Sequence, residues 1–345
     1  MPAILAVAVS RDGVLSTPTR EILGMARRIA DHTGDPVATA LIGTGMSSFA
    51  QELIASGTDV VYGAEKDPLR EFHTNLYGEI LEHIAEKVKP SIVIFPGEGT
   101  AVDLAPRLAS RLKAGLITDC IDFEIQSDRL LLTKPVYGGK ALAKMSAATP
   151  RIVVTVRPRS QTPLARDPMR KGELIMVEEP TQSKVLDLVL VRRVEEEKGE
   201  GNLEDARVVV SGGRGIGGAE GFQELRRLAK ILDGALGATR AAVDAGWVPP
   251  SSQIGQTGKI VAPDIYFAIA LSGSSQHLAG MTGSKIIVAI NRDPDAPIFR
   301  AANVGVVDDF RNVLPQPRWR VGENIVKVIL ERSSVHGTDF DLQDQ

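Results

Sequence analysis

Short apolar runs alternate with amphipathic helical stretches through the first third of this chain, and that alternation narrows the fold more than any other feature. Ala3–Val9, Val37–Ile42, Asp59–Tyr62 and Ser91–Phe95 have strand length and little or no period-two polar face. Between and after them the spacing predicts helices over 17–31, 47–56, 69–89 and 103–113. The first has Pro18 in its opening turn and Ile22, Met25 and Ile29 on one stripe, and Pro90 ends the third. Strands apolar on both sides must be covered on both sides. Helical crossovers deliver such strands parallel, so an α/β fold with a doubly covered parallel sheet is expected.

The rhythm changes at Leu116. Ile121–Ile125, Arg129–Val136 and Arg151–Val156 read as strands with few helical signals between them, and an antiparallel extension of the same domain is expected. Pro158–Gly172 reads as an exposed loop and Lys184–Val194 as a last strand. Residues 195–205, EEEKGEGNLED, are acidic and nearly devoid of apolar side chains, which marks a domain boundary. The α/β rhythm then restarts, with strands expected over 206–210, 265–271, 285–290 and 303–307 and helices over 220–232 and 322–331. A chain of 345 residues suggests about two domains. The expected division is 1–194, a linker over 195–205, 206–331, and a polar tail over 332–345.

Composition removes several function classes. The formal net charge is −3, so there is no basic excess for a nucleic-acid backbone. Aromatic residues make up 4%, too few for a base-stacking platform. No apolar run approaches the ~18 residues of a membrane span, and the start lacks the basic segment of a secretory signal. Cys120 is the single cysteine, so thiolate zinc or iron–sulfur sites are excluded; a cytoplasmic setting is expected. His32, His73 and His83 have no ligand-type partners at useful spacing, and TGSK at 282–285 is not a P-loop.

The chemistry-bearing feature is RVVVSGGRGIGGAEG, where Gly213, Gly215 and Gly218 fit G-x-G-x-x-G between a strand and a helix. Such a turn lets backbone approach a pyrophosphate at a helix N-terminus. The acidic residue at the dinucleotide-fold spacing, Asp233, falls at a helix end rather than a strand end, so a simple NAD-dehydrogenase reading is weak. Small and polar clusters follow the other apolar runs of this half as well. Because ligands in open parallel sheets sit outside the carboxyl ends of the strands, these clusters describe one cleft long enough for a dinucleotide.

At these residues the chain strongly resembles the alpha subunit of electron transfer flavoproteins. IYFAIALSGSSQHLAGMTGSKIIVAIN, VVVSGGRG, TRAAVDAGW, QTGKIVAP and INRDPDAPIF are similar to the family's blocks. In the first half so are DLAPRLASRLKAGLITD, KPVYGGKALA and VTVRP. The resemblance implies an N-terminal nucleotide-hydrolase-like α/β domain that docks a beta subunit, and a C-terminal parallel α/β domain that binds FAD. It further implies electrons arriving from an acyl-CoA or other dehydrogenase and leaving to a quinone oxidoreductase or other acceptor. An electron-bifurcating relative, with NADH and a second FAD on the beta subunit, is the alternative within the family. An NAD-linked enzyme and a redox-silent nucleotide-binding scaffold are alternatives of other classes. By the same resemblance, Arg214 contacts the cofactor and Arg240 lies against the flavin ring, where positive charge favours negative charge on the ring. Thr239 stands where the family usually has Ser. Ile254, Gly255, Gln256 and Thr257 form the cofactor segment, Thr257 near flavin N5. Ser272, Gly273, Ser274, Ser275, Gln276 and His277 form S-G-x-x-Q-H, with His277 expected at the pyrimidine carbonyl as a charged or donating imidazole. Asn291, Asp309 and Phe310 match positions near the AMP half. Ser274-Ser275 depart from the family's usual Ala-Ile.

Overall fold

The computed structural model describes residues 3–11, 14–65, 69, 72–126, 129–137, 139, 141–178, 191 and 203–314. The chain divides into two compact units, Met1–Arg193 and Val194–Gln345. The strand expected over 184–190 and 192–194, the helix over 322–331, the tail over 332–345 and residues 195–202 of the boundary segment lie outside the described residues.

In the first unit β1 (Ile4–Ala8) leads through a small hairpin of β2 (Ser10–Arg11) and β3 (Val14–Leu15) to α1 (Thr17–Thr33), β4 (Val37–Gly43), α2 (Met46–Ala55) and β5 (Val60–Glu65). There follow α3 (Thr74–Val88), β6 (Ile92–Pro96), α4 (Gly99–Arg111), β7 (Gly115–Cys120), β8 (Asp122–Gln126), β9 (Arg129–Val136), β10 (Ala141–Met145), β11 (Ile152–Val156) and β12 (Glu173–Met176). Seven strands form a parallel sheet in the order β12-β5-β4-β1-β6-β11-β7. Helices α1 and α2 cover one face with Ile22, Met25, Ile29, Phe49 and Leu53. Helices α3 and α4 cover the other with Leu76, Ile80, Ile84, Leu104 and Leu108. The helix signals have local causes. Ser16 caps α1 by accepting from the Thr19 N–H at 3.2 Å, and Gly34, at φ 76°, closes it with its N–H on the Ala30 carbonyl.

Two expectations for this unit are corrected. The run over 151–156 is not antiparallel: β11 lies between β6 and β7 in the parallel sheet with every residue buried. Of this stretch, β8, β9 and β10 form an antiparallel sheet of three strands. The helix expected from Leu69 starts at Thr74. The Leu69 carbonyl instead accepts from the Tyr77 hydroxyl at 2.8 Å and Phe72 stacks edge-on against Tyr77, so these apolar residues pack the approach to the helix rather than its first turns.

The second unit runs β13 (Val208–Gly212), α5 (Ala219–Ile231), β14 (Ala235–Ala238), α6 (Arg240–Asp244), β15 (Ile265–Ile269), α7 (Ser275–Leu278), β16 (Ile286–Asn291), β17 (Val304–Val307) and α8 (Phe310–Val313). Its five strands are parallel in the order β14-β13-β15-β16-β17. The chain moves from β13 outward to β14, then crosses back to β15 on the other side of β13. The connections after β13 and β15 therefore diverge, and a topological switch point opens between their carboxyl ends. One apolar layer gathers Phe222, Leu225, Phe267, Ile290 and Phe310, the other Val209, Ile254, Tyr266, Met281 and Ile298.

Candidate functional site

The loops on either side of the switch point touch through backbone. The Gly213 N–H donates to the Ile269 carbonyl and the Gly215 N–H to the Ala270 carbonyl, each at 3.1 Å. A Cβ on Gly213 would lie 2.5 Å from the Leu271 Cα, so only glycine permits this approach. Ala270 is held at φ 50°, a left-handed conformation that a Cβ makes costly and that the facing turn enforces. Beyond a 3-10 turn over Arg214–Ile216, Gly218 opens α5. No side chain caps this 13-residue helix, and nothing lies within 4 Å of where a Gly218 Cβ would stand. Its first N–H groups and positive dipole end therefore face open space, with the exposed Arg214 beside them.

The other sequence-derived residues cluster at the same edge of the sheet. After β14, the Thr239 N–H donates to the Gly212 carbonyl at 3.0 Å, while Thr239 Oγ1 is buried without a hydrogen-bond partner. Arg240 is exposed and pairs with Asp244 at 3.3 Å, one turn along α6. Ile254 is buried; its N–H donates to the Ala238 carbonyl, and the Gln256 N–H donates to the Gln276 carbonyl at 2.8 Å. The 254–257 segment is thereby tied to the loop after β15. The Thr257 hydroxyl accepts from Gln253 Nε2 at 3.1 Å. Gly273, at φ 79°, would place a Cβ 2.5 Å from the Ile298 nitrogen, and the Ile298 N–H donates to the Ser272 carbonyl. Ser274 stands at the N-cap of α7 without a capping bond. This helix has only four residues, so the serine cluster adds little dipole.

Four of the expected contact residues are already engaged within the protein. Asn291 donates from Nδ2 to the Leu271 carbonyl at 2.9 Å and accepts from the Asp293 N–H at 3.0 Å, clasping the loops after β15 and β16. Asp309 caps α8 through the Arg311 N–H, and Phe310 is buried in the core with the Arg311 guanidinium 4.8 Å above its ring. His277 is buried, with Nδ1 3.0 Å from the Ile254 carbonyl and Nε2 2.9 Å from the Tyr266 hydroxyl. Burial pushes its imidazole down to about 4, with the Ile254 carbonyl pulling the other way, so the side chain is neutral rather than charged at pH 7.

The sequence reading missed Tyr266, whose signal was one polar atom inside the apolar run IYFAIA. It also missed Arg311, whose Nη2 lies 3.9 Å from where a Gly217 Cβ would stand, beside the glycine turn. Cys120 is buried, and desolvation pushes its thiol up to about 12, which removes it as a nucleophile. Among the described residues no cluster of His, Cys, Asp and Glu could hold a metal ion.

A dinucleotide-type cofactor fits this edge on three counts: an uncapped helix N-terminus behind glycines, a hydroxyl orphaned at Thr239, and polar loops after all five strands. Residues 4–182 match the model of the electron transfer flavoprotein domain, and residues 202–282 that of the electron transfer flavoprotein FAD-binding domain. The chain belongs to the electron transfer flavoprotein alpha-subunit family. It is 41% identical to the electron transfer flavoprotein subunit alpha of Thermoanaerobacterium thermosaccharolyticum over 310 residues, covering 89% of this chain and 94% of that one. It is 39% identical to the subunit alpha of Bacillus subtilis over 315 residues, 90% and 95% of the two chains. A third relative is the lactate dehydrogenase (NAD(+),ferredoxin) subunit LctC of Acetobacterium woodii, 33% identical over 307 residues, 88% of this chain and 73% of that one.

The alpha subunit's cofactor is FAD, borne by the C-terminal unit, and its task is electron transfer. Alpha subunits of this family pair with a beta subunit. No helix among the described residues of this one is long and apolar enough to cross a membrane.

Proposed function

We propose that this chain, as a heterodimer with its beta subunit, accepts electrons from an acyl-CoA or other dehydrogenase and passes them to a quinone oxidoreductase or another acceptor. The observation that carries the reading is the row of polar loops along the carboxyl ends of one parallel sheet with a switch point between β13 and β15, and the Thr239 hydroxyl buried at that edge and unpartnered. The cofactor, when bound, supplies reversible one- and two-electron chemistry, and the protein's share is to bind it, orient it and tune its electrostatics. The uncapped start of α5 and Arg214 hold the pyrophosphate by partial and full positive charge. Thr239, Gln256 and Thr257 offer hydrogen bonds to the ring system, and Arg240, released from Asp244, offers charge. A surface pair of that kind is worth about 0–1 kcal/mol, so exchanging Asp244 for a ligand costs little. Asn291, Asp309 and Phe310 order the loops at the adenosine end. The N-terminal unit serves as the docking scaffold for the beta subunit.

The test is to co-purify the chain with its beta subunit and measure flavin content, reduction by an acyl-CoA dehydrogenase with its substrate, and reoxidation by a quinone acceptor. A colourless complex rejects the reading. The likeness to LctC supports a second version, in which the beta subunit carries another FAD and NADH donates electrons. Two flavins per heterodimer and bleaching by NADH select that version; one flavin inert to NADH selects the first.

A further inference from the structure

His277 is set by two other groups into one arrangement. Tyr266, on β15, is fully buried and presents its hydroxyl 2.9 Å from His277 Nε2, while His277 Nδ1 meets the Ile254 carbonyl at 3.0 Å. A backbone carbonyl can only accept, so Nδ1 carries the proton and donates. With Nδ1 protonated in a neutral ring, Nε2 is a lone pair, and the tyrosine must be the donor. Ser211 lies on the same face of the sheet as Tyr266, one diagonal step away: β13 pairs Val209 with Tyr266 and Ser211 with Ala268. Its hydroxyl is fully buried beside the phenol but makes no full hydrogen bond, so it does not take over the phenol's proton.

The chain Tyr266–His277–Ile254 also crosses the site. Ile254 is fixed to the end of β14 through the Ala238 carbonyl, and Gln256 two residues on is fixed to Gln276. His277 thus stitches the 254–257 segment to the 272–277 segment, and Tyr266 anchors the stitch to the sheet. We propose that Tyr266 is a positioning residue of the flavin site: the Ile254 carbonyl sets the Nδ1–H tautomer of His277, and the tyrosine hydroxyl, donating to Nε2, locks the ring's orientation and thereby holds both cofactor segments in register. The inference rests on the FAD reading of this edge and deepens it. In this arrangement Nε2 has no proton to give, and the imidazole acts by orientation rather than by charge. Positive charge toward the ring then comes from Arg240 and not from His277.

The experiment uses the FAD-loaded heterodimer with ¹⁵N-labelled histidine at pH 7, comparing wild type with Tyr266→Phe and His277→Gln. The wild type is expected to show one neutral Nδ1-protonated imidazole assigned to His277, by its loss in His277→Gln. Tyr266→Phe keeps the ring's volume and is expected to fold. It should keep the Nδ1–H tautomer that the Ile254 carbonyl sets but shift the Nε2 resonance of His277, which loses its donor, shift the flavin potential, and weaken FAD binding roughly fivefold to tenfold, the value of one buried hydrogen bond. A wild-type His277 protonated at Nε2, or doubly protonated, overturns the proposal even if the variant fails to fold. So does a Tyr266→Phe protein with unchanged Nε2 resonance, potential and affinity. Failure of wild type to hold FAD at all rejects the functional reading instead, which keeps the two outcomes apart.

Discussion

A single buried oxygen separates what is good for folding from what is good for binding. Thr239 Oγ1 has no partner in the cofactor-free chain, and a buried hydroxyl in that state costs about 1–3 kcal/mol. Thr239→Val keeps the branched shape and removes the penalty. It is expected to stabilise the cofactor-free protein by up to about 1 kcal/mol in urea unfolding while weakening FAD binding roughly tenfold by titration. Loss of stability, or unchanged affinity, rejects the role given to this hydroxyl. His277 makes the second prediction at this scale. Its folded pKa, about 4, lies below the ordinary value of 6.5. Above pH 6.5 neither the folded nor the unfolded chain holds the proton, and this group's contribution is complete. Between about 6.5 and 4 only the unfolded chain takes it up, so stability falls with pH at up to about 1.4 kcal/mol per unit. Urea midpoints of the cofactor-free protein should show that slope, and His277→Gln should remove it.

At the scale of turns and strands the glycines make two contrasting predictions. Gly213 has Leu271 and Ala270 where a Cβ would go, as close as 2.5 Å and partly backbone, so Gly213→Ala must part the loops after β13 and β15. It is expected to cost about 1–3 kcal/mol of stability and to abolish FAD retention together. Gly218 has nothing within 4 Å of its Cβ position, and its extended backbone suits any residue. Gly218→Ala should leave cofactor-free stability within about 0.5 kcal/mol yet weaken FAD binding, because the added methyl occupies the space before the α5 N–H groups. Equal losses of stability in both variants would reject this assignment of the open space. These glycines were legible from the sequence because a strand and a helix on either side left the turn no alternative. The run IVVTV at 152–156 was also visible, but it was assigned to the wrong sheet. Its unbroken apolar character is that of a strand covered on both faces, and proximity in sequence to the alternating strands β8 and β9 outweighed it. The strand ALGA at 235–238 carries almost no pattern, because four small residues show neither period, so only the sheet it completes reveals it. The neutral state of His277 was invisible for another reason: it comes from burial, and the groups that enclose the ring, Tyr266 and Ile254 among them, lie 11 and 23 residues away and meet it only through the fold.

For the whole chain, each unit has apolar layers of its own, on both faces of its own parallel sheet. The groups assigned to FAD all lie on the second unit, at the carboxyl ends of β13 to β17. A ligand stabilises only what it binds in the folded state, by RT ln(1 + [L]/Kd), about 2.7 kcal/mol at one hundred times Kd. Calorimetry of the cofactor-free chain should therefore resolve two transitions, and added FAD should raise one while leaving the other in place. Limited proteolysis should assign the shifted transition, with FAD protecting peptides from 203–314 and leaving those from 14–178 as they were. If FAD raised both transitions equally, the two units would have to fold as one, and the electrostatic tuning assigned to the C-terminal loops would depend on residues of the N-terminal unit as well. If it raised only the N-terminal transition, the cofactor would sit on the other sheet, and the switch point between β13 and β15 would have no claim on it.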